Sequence, residues 1–232
     1  MGDAIATLRS VGLRGPASDA EVAAWEARRD YERWREEGKA RRLRRAEILD
    51  RELPGELTDD GRRTVVHEMR PHPLTADLVL SWGAAKDGPC ALAVVGERGV
   101  GKTVAAAWWV ADMDGRYVLS SELVRLWSAQ YGPDRERWES LKRARALVVD
   151  EIGGERQRLD DVRAMLEELI NARQGSRTKT LLLGNITKAQ WEQRLTPRAA
   201  SRWQSVGYTL ELTSRVDMRR RRRSPATAEV TR

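Results

Sequence analysis

Gly96-Glu97-Arg98-Gly99-Val100-Gly101-Lys102-Thr103 stands between an apolar run, Ala91-Leu92-Ala93-Val94-Val95, and a helix-forming stretch from Thr103 to Val110. The octet is a complete G-x-x-x-x-G-K-T pattern. Each residue type has a physical reason to be there. The glycines let backbone N–H groups turn inward around a phosphate without Cβ collisions. The following helix aims its positive N-terminal end at the same anion. Lys102 supplies a point charge for β and γ phosphates, and the Thr103 hydroxyl can ligate Mg²⁺. The candidate nucleotide-binding residues are therefore Gly96, Glu97, Arg98, Gly99, Val100, Gly101, Lys102, Thr103 and Val104.

Three further segments extend the site. Ala146-Leu147-Val148-Val149 reads as a buried strand that ends in Asp150-Glu151. Ligand sites of open α/β sheets lie at that end of the strands. Asp150 is expected to hold Mg²⁺ with Thr103, and Glu151 to polarise the attacking water. Thr180-Leu181-Leu182-Leu183 is a second such run, ending in Gly184-Asn185. Alone, Asn185 reads as an ordinary turn residue; beside the other two strands it becomes a candidate for orienting the lytic water. Arg198 and Arg202 sit four apart and share a face if helical. A cation reaching a neighbouring subunit's γ-phosphate would stabilise phosphoryl transfer. The alternative reading is a pair of surface arginines.

Tyr117–Leu119 and Thr209–Leu212 are further short apolar runs, and Ser121–Gln130, Asp160–Arg173 and Lys188–Leu195 are helix-like. Strands alternating with helices predict a parallel five-stranded sheet covered on both faces. Pro73–Lys86 reads as a helix with Leu74, Leu78, Val79 and Trp82 on one face.

These parts, in this order, resemble the AAA+ ATPases, and within them the DnaC/IstB branch. The residues that carry the resemblance are the Walker A segment Gly96–Thr103, the Walker B pair Asp150 and Glu151, Asn185 at the sensor-1 position, and Arg198 and Arg202 as box-VII-like arginines. Supporting segments are Trp82, Ser120-Ser121-Glu122-Leu123, Asp150 through Glu155, Leu169 through Arg173, and Ser201-Arg202-Trp203. Gly184 stands where a small hydroxyl residue is more usual, and Pro197 where an acidic one is frequent. The resemblance implies a P-loop NTPase core over 73–213 without a C-terminal helical lid. It also implies a weak Mg²⁺-dependent ATPase that assembles through arginine fingers.

The rest of the chain bounds the partners. With 232 residues and 41% hydrophobic content it can bury a real core. No apolar run approaches ~18 residues, so no membrane span is expected. The single cysteine, Cys90, points to a reducing, cytoplasmic setting. Residues 18–53 are charge-rich, opened by a Ser18/Glu21 capping box and closed by Pro54-Gly55. Their apolar stripe (Val22, Trp25, Tyr31, Trp34, Leu43) is sparse, so a helical arm over 1–53 wants a partner surface. Residues 54–72 read as a linker, and 214–232, with Arg219–Arg223, as a basic disordered tail. The resemblance implies an arm that grips a DnaB-like replicative helicase, with single-stranded DNA as a second partner. Its sister reading is a transposition ATPase on duplex DNA; a third is a nucleotide-dependent interaction module that does not turn over. Lys39, Arg41, Arg42, Arg44 and Arg45 form a basic cluster compatible with DNA, but residues 1–53 hold 12 basic and 11 acidic side chains, which suits a protein partner. Trp108, Trp109, Trp127 and Trp138 read as core residues or as base-stacking platforms.

Overall fold

The central runs are continuously apolar, and because successive side chains of a strand point to opposite faces, they build a sheet with two buried faces. The structure is a computed structural model that describes residues 19–68, 74–154, 158–176 and 178–212. The capping box at Ser18, the tail with Arg219–Arg223, and Glu155 lie outside the described residues. Five strands form one parallel sheet: β1 (Ala91–Gly96), β2 (Arg116–Leu119), β3 (Ala146–Ile152), β4 (Lys179–Gly184) and β5 (Gly207–Leu212). Their spatial order is β2-β3-β4-β1-β5. β4 thus lies between the strand that leads into the glycine-rich loop and the strand that carries the two acids.

Each face has its own core. Leu92, Val94, Val148, Leu181 and Leu183 point to one side. There they meet α4 (Lys102–Met113), α3 (Leu74–Ala84), α2 (Asp59–Val66) and the end of α1 (Asp19–Glu52). Ala93, Val95, Leu147, Val149 and Leu182 point to the other side. They meet α5 (Ser120–Ser128), α6 (Gly132–Arg143), α7 (Leu159–Ser176), α8 (Lys188–Glu192) and α9 (Pro197–Val206). Burying each such Val or Leu contributes roughly 1.5–3 kcal/mol.

The helices differ from the sequence expectation at Leu78 and at Arg45, and at the tryptophans they agree with the core reading. Val79 is buried on α3, but Leu78 is 40% exposed, so the expected face is turned away from it. Trp108, Trp109 and Trp138 lie in the core, and Trp127 packs against it with its Nε1 donating to Glu168 at 3.0 Å. Trp108, Trp109 and Trp138 are therefore not available for base stacking. Arg45 leaves the basic cluster: it is buried, stacks over Trp108 at 5.0 Å, and pairs with Glu68 (3.1 Å) and Asp112.

The described residues divide into two compact units, one ending at Arg44 and the other beginning at Arg45. In the second, Ile48, Leu49 and Leu53 are buried with α4. In the first, Tyr31 and Trp34 stack with ring centroids 6.1 Å apart, and both are more than half exposed. No helix among the described residues is long and apolar enough to cross a membrane.

Candidate nucleotide site

β1 runs straight into the loop, and α4 begins at its far end. Gly96, Gly99 and Gly101 have φ of 124°, 85° and 87°. L-residues rarely adopt these angles, so the loop reverses direction only because its corners lack a Cβ. At Gly96 there is no room either: an added Cβ would lie 2.0 Å from the Leu212 carbonyl oxygen. Lys102 is 6% exposed, and its Nζ donates to the carbonyls of Gly96 (2.9 Å) and Glu97 (2.7 Å). The ammonium is therefore folded over the loop rather than extended into solvent. From outside the loop, the buried Thr75 hydroxyl of α3 donates to Val100 O at 2.7 Å.

β3 brings the acids to the same edge. Thr103 Oγ1 donates to Asp150 Oδ2 at 3.0 Å. The Tyr117 hydroxyl donates to the same oxygen at 2.9 Å, and the Glu151 N–H to Asp150 Oδ1 at 2.6 Å. Asp150 is 4% exposed, so its charge rests on these donors. Burial, then the Asp150 charge, pushes the Tyr117 phenol far above its usual range. Burial also raises the Glu56 carboxyl, reinforced by the charges of Glu151 and Asp150, which places it near the site.

The β3–β4 register shifts between Val149 and Ile152. Such a bulge re-aims a side chain. Glu151 occupies it with φ 59° and an exposed side chain. A non-glycine residue in that conformation costs about 1–3 kcal/mol, and such outliers cluster at functional sites. Asn185 follows the end of β4 and is exposed. Arg198 and Arg202 do share α9, but their recorded contacts are with α7. Arg198 Nε lies 3.7 Å from Glu167 with its side chain 69% exposed, and Arg202 donates to Asn171 Oδ1. They are not brought to the cradle of their own chain.

The residues fit a nucleotide with Mg²⁺. The turn excludes any Cβ at Gly96, Lys102 is at hand, and a hydroxyl and a carboxylate converge as hard oxygen donors. Among the described residues no group of three or more His, Cys, Asp or Glu could hold a metal by itself. Mg²⁺ commonly takes one or two carboxylates and completes its shell with phosphates and water. The structure brings Lys102, Thr103 and Asp150, which the sequence proposes, to one edge of the sheet with Glu151 beside them, and it adds Tyr117 and Thr75, which the sequence does not. The alternation Tyr117/Leu119 against Val148/Asp150 could have placed Tyr117 on the face of Asp150; Thr75 carried no signal.

Together the strand order, the glycine-rich turn and the acid on β3 give the chain the fold of a P-loop protein of the AAA+ type. No protein-family model and no curated protein sequence matches the chain. Among solved structures it is similar to the crystal structure of DnaI, at 21% identity and a TM-score of 0.50, over 72% of this chain and 93% of that one. It is also similar to the crystal structure of the DnaC helicase loader, at 19% identity and a TM-score of 0.52, over 67% of this chain and 100% of that one. At these identities the likeness is one of fold: the chain has a DnaC-like AAA+ fold.

Proposed function

We propose that this chain is an ATP-dependent, DnaC-like loader of a replicative DNA helicase. ATP binding and hydrolysis would hold and release the helicase ring on single-stranded DNA. The observation that carries the nucleotide part is the Thr103–Asp150 hydrogen bond, which joins the loop and the acid strand into one metal-binding edge. The loader part is supported by the fold likeness to the DnaC helicase loader and by an arm with aromatic residues exposed on it.

Lys102 and the N–H groups of the loop would hold the β and γ phosphates, and Thr103 with Asp150 the Mg²⁺. Bound Mg·ATP supplies a phosphoryl group whose transfer to water is the chemical step. Glu151, exposed at the bulge, would accept a proton from that water, and Asn185 would help to fix its position. Arg198 or Arg202 would reach the site of a neighbouring copy and offset the charge of the transition state. The loop ties that respond to the γ-phosphate would make hydrolysis a release signal.

One experiment tests both parts. The full chain is mixed with a candidate DnaB-like helicase and isolated with and without Mg·ATP, beside Lys102→Ala. The expected result is helicase capture that depends on ATP and on Lys102. Nucleotide binding by Lys102→Ala equal to wild type overturns the cradle. ATP binding without helicase capture, but with capture of duplex DNA, favours the transposition reading instead.

A further inference from the structure

β2 is an edge strand, and an edge presents unpaired backbone N–H and C=O groups. Here a side chain of α1 accepts one of those N–H groups, that of Tyr117. Glu52 is in the last turn of that helix, and its side chain is 8% exposed. Its Oε2 accepts the Tyr117 N–H at 3.1 Å, and its Oε1 accepts from Arg116 at 2.7 Å and from Arg51 Nε at 2.7 Å. Nearby Ile48, Leu49 and Leu53 are buried, which fixes the helix end.

The same residue, Tyr117, holds Asp150 with its other end. Tyr117 pairs with Val148 and Leu119 with Asp150. The phenol therefore reaches diagonally, two residues along, on one face of the sheet. It is 5% exposed and donates to Oδ2, the oxygen that also accepts from Thr103. A continuous path thus runs from Glu52 through the Tyr117 backbone and ring to the carboxylate of Asp150.

We propose that Tyr117 is a positioning residue for Asp150, clamped by Glu52, so that the last turn of α1 sets how well the site takes up Mg²⁺. This rests on the reading of 96–103 with Asp150 as a Mg·ATP site. Tyr117 touches neither phosphate nor reacting water. It fixes the rotamer of the carboxylate, whose other oxygen is held by the Glu151 N–H. Partners that orient a metal-ligating group typically change metal affinity by about 10–100-fold when removed. The phenol matters through the direction of its bond, and the ring alone cannot replace it. Glu52 acts one step further away, by keeping β2 at the distance from which the phenol reaches.

The test uses the full chain and measures binding, not turnover. A fluorescent ATP analogue is titrated in EDTA and then across a Mg²⁺ series, and the Mg²⁺ concentration giving half of the affinity gain is read. Tyr117→Phe keeps the ring and removes the donor. We expect unchanged binding in EDTA and a Mg²⁺ midpoint raised by about tenfold. Glu52→Ala should move the midpoint the same way by a smaller factor, and should have little further effect in the Tyr117→Phe background. A wild-type midpoint in Tyr117→Phe overturns the proposal. An equal effect of Glu52→Ala in both backgrounds overturns the clamp. If Glu52→Ala fails to fold, Arg116→Ala, which removes a pair to the same carboxylate, gives the second cycle. Failure of the wild-type chain to bind the analogue at all would instead sink the nucleotide-site reading.

Discussion

Replacing Gly96 by alanine should damage both the sheet and the cradle, because one position serves both. The added Cβ would lie 2.0 Å from the carbonyl oxygen of Leu212, with the carbon and nitrogen of Leu212 at 2.8 and 2.9 Å. These are backbone atoms of β5, directly paired with Gly96, so no side-chain rotation can relieve the overlap. The φ of 124° adds roughly 1–3 kcal/mol for a residue with a Cβ. Forcing packed atoms apart costs typically about 1–3 kcal/mol. Parting the strands also weakens the Glu97 N–H bond to Leu212 O, now 3.2 Å, worth about 1 kcal/mol. The expected loss is therefore about 3–7 kcal/mol, against a total stability of roughly 5–15 kcal/mol for a native protein. Gly55→Ala is the control. Its φ is 79° and nothing lies within 4 Å of an added Cβ, so strain alone acts, about 1–2 kcal/mol. Urea unfolding followed by tryptophan fluorescence gives both numbers, with the denaturant slope checked for constancy. The same samples, in conditions where they are folded, are titrated with a fluorescent ATP analogue. Gly96→Ala should bind it far more weakly than Gly55→Ala does. Equal stability of the two variants, within about 1 kcal/mol, with equal nucleotide binding, would refute the reasoning.

Two other outcomes are expected. Burial alone would raise the Glu168 carboxyl, but hydrogen bonds from Lys142, Trp138 and Trp127 outweigh it and leave it below the ordinary value of 4.5. Its folded pKa is thus depressed, so the stability it contributes is present above that value and is lost as the pH falls through the folded one. Glu168→Gln should lower stability at neutral pH and flatten the acid limb below about pH 4.5 in thermal unfolding scans; superimposable limbs for the two proteins would contradict this. Arg202→Ala should leave nucleotide binding unchanged and slow hydrolysis in the assembled state by about 10³-fold or more, the scale of a finger arginine. If mixing it with Lys102→Ala subunits restores no hydrolysis, the trans role is lost.

The sheet was legible in the sequence because its central strands are short apolar runs that alternate between two covered faces. The turn was legible because loop geometry is local: the glycines, Lys102 and Thr103 lie within eight consecutive positions. What escaped was set by distance along the chain. α6, GPDRERWESLKR, reads as charged surface apart from Trp138, and Leu141 is buried as well. Arg173 closes the segment Leu169 through Arg173, but nothing in its spacing marks a buried role. Yet it is 2% exposed, and its guanidinium binds Thr180 Oγ1 and the carbonyls of Leu141, Lys142, Ala144 and Lys179. Burial pushes its pKa down to about 10, which still leaves it charged at neutral pH. No spacing rule could have chosen it, because its acceptors come from α6, the following turn and β4. Glu52 was hidden for the same reason: its partner is 65 residues away.

The loop itself shows why a motif and a site are different things. Its shape is held by ties from residues outside it. Leu212 of β5 accepts the Glu97 N–H, Thr75 of α3 holds the Val100 carbonyl, and Lys102 crosses back to the carbonyls of Gly96 and Glu97. Ordering one residue costs roughly 1–2 kcal/mol. A loop of about five residues that had to order on binding would therefore forfeit roughly 5–10 kcal/mol of affinity, several powers of ten in dissociation constant. Here tertiary contacts meet that cost during folding, so contacts to a bound phosphate would appear as binding energy. The octet suggests the chemistry, but on the proposed reading α3 and β5, which would contribute no phosphate ligand, would set its strength. It follows that Thr75→Val, which keeps the side-chain volume and removes the hydroxyl, should weaken nucleotide binding while the strand core stays intact.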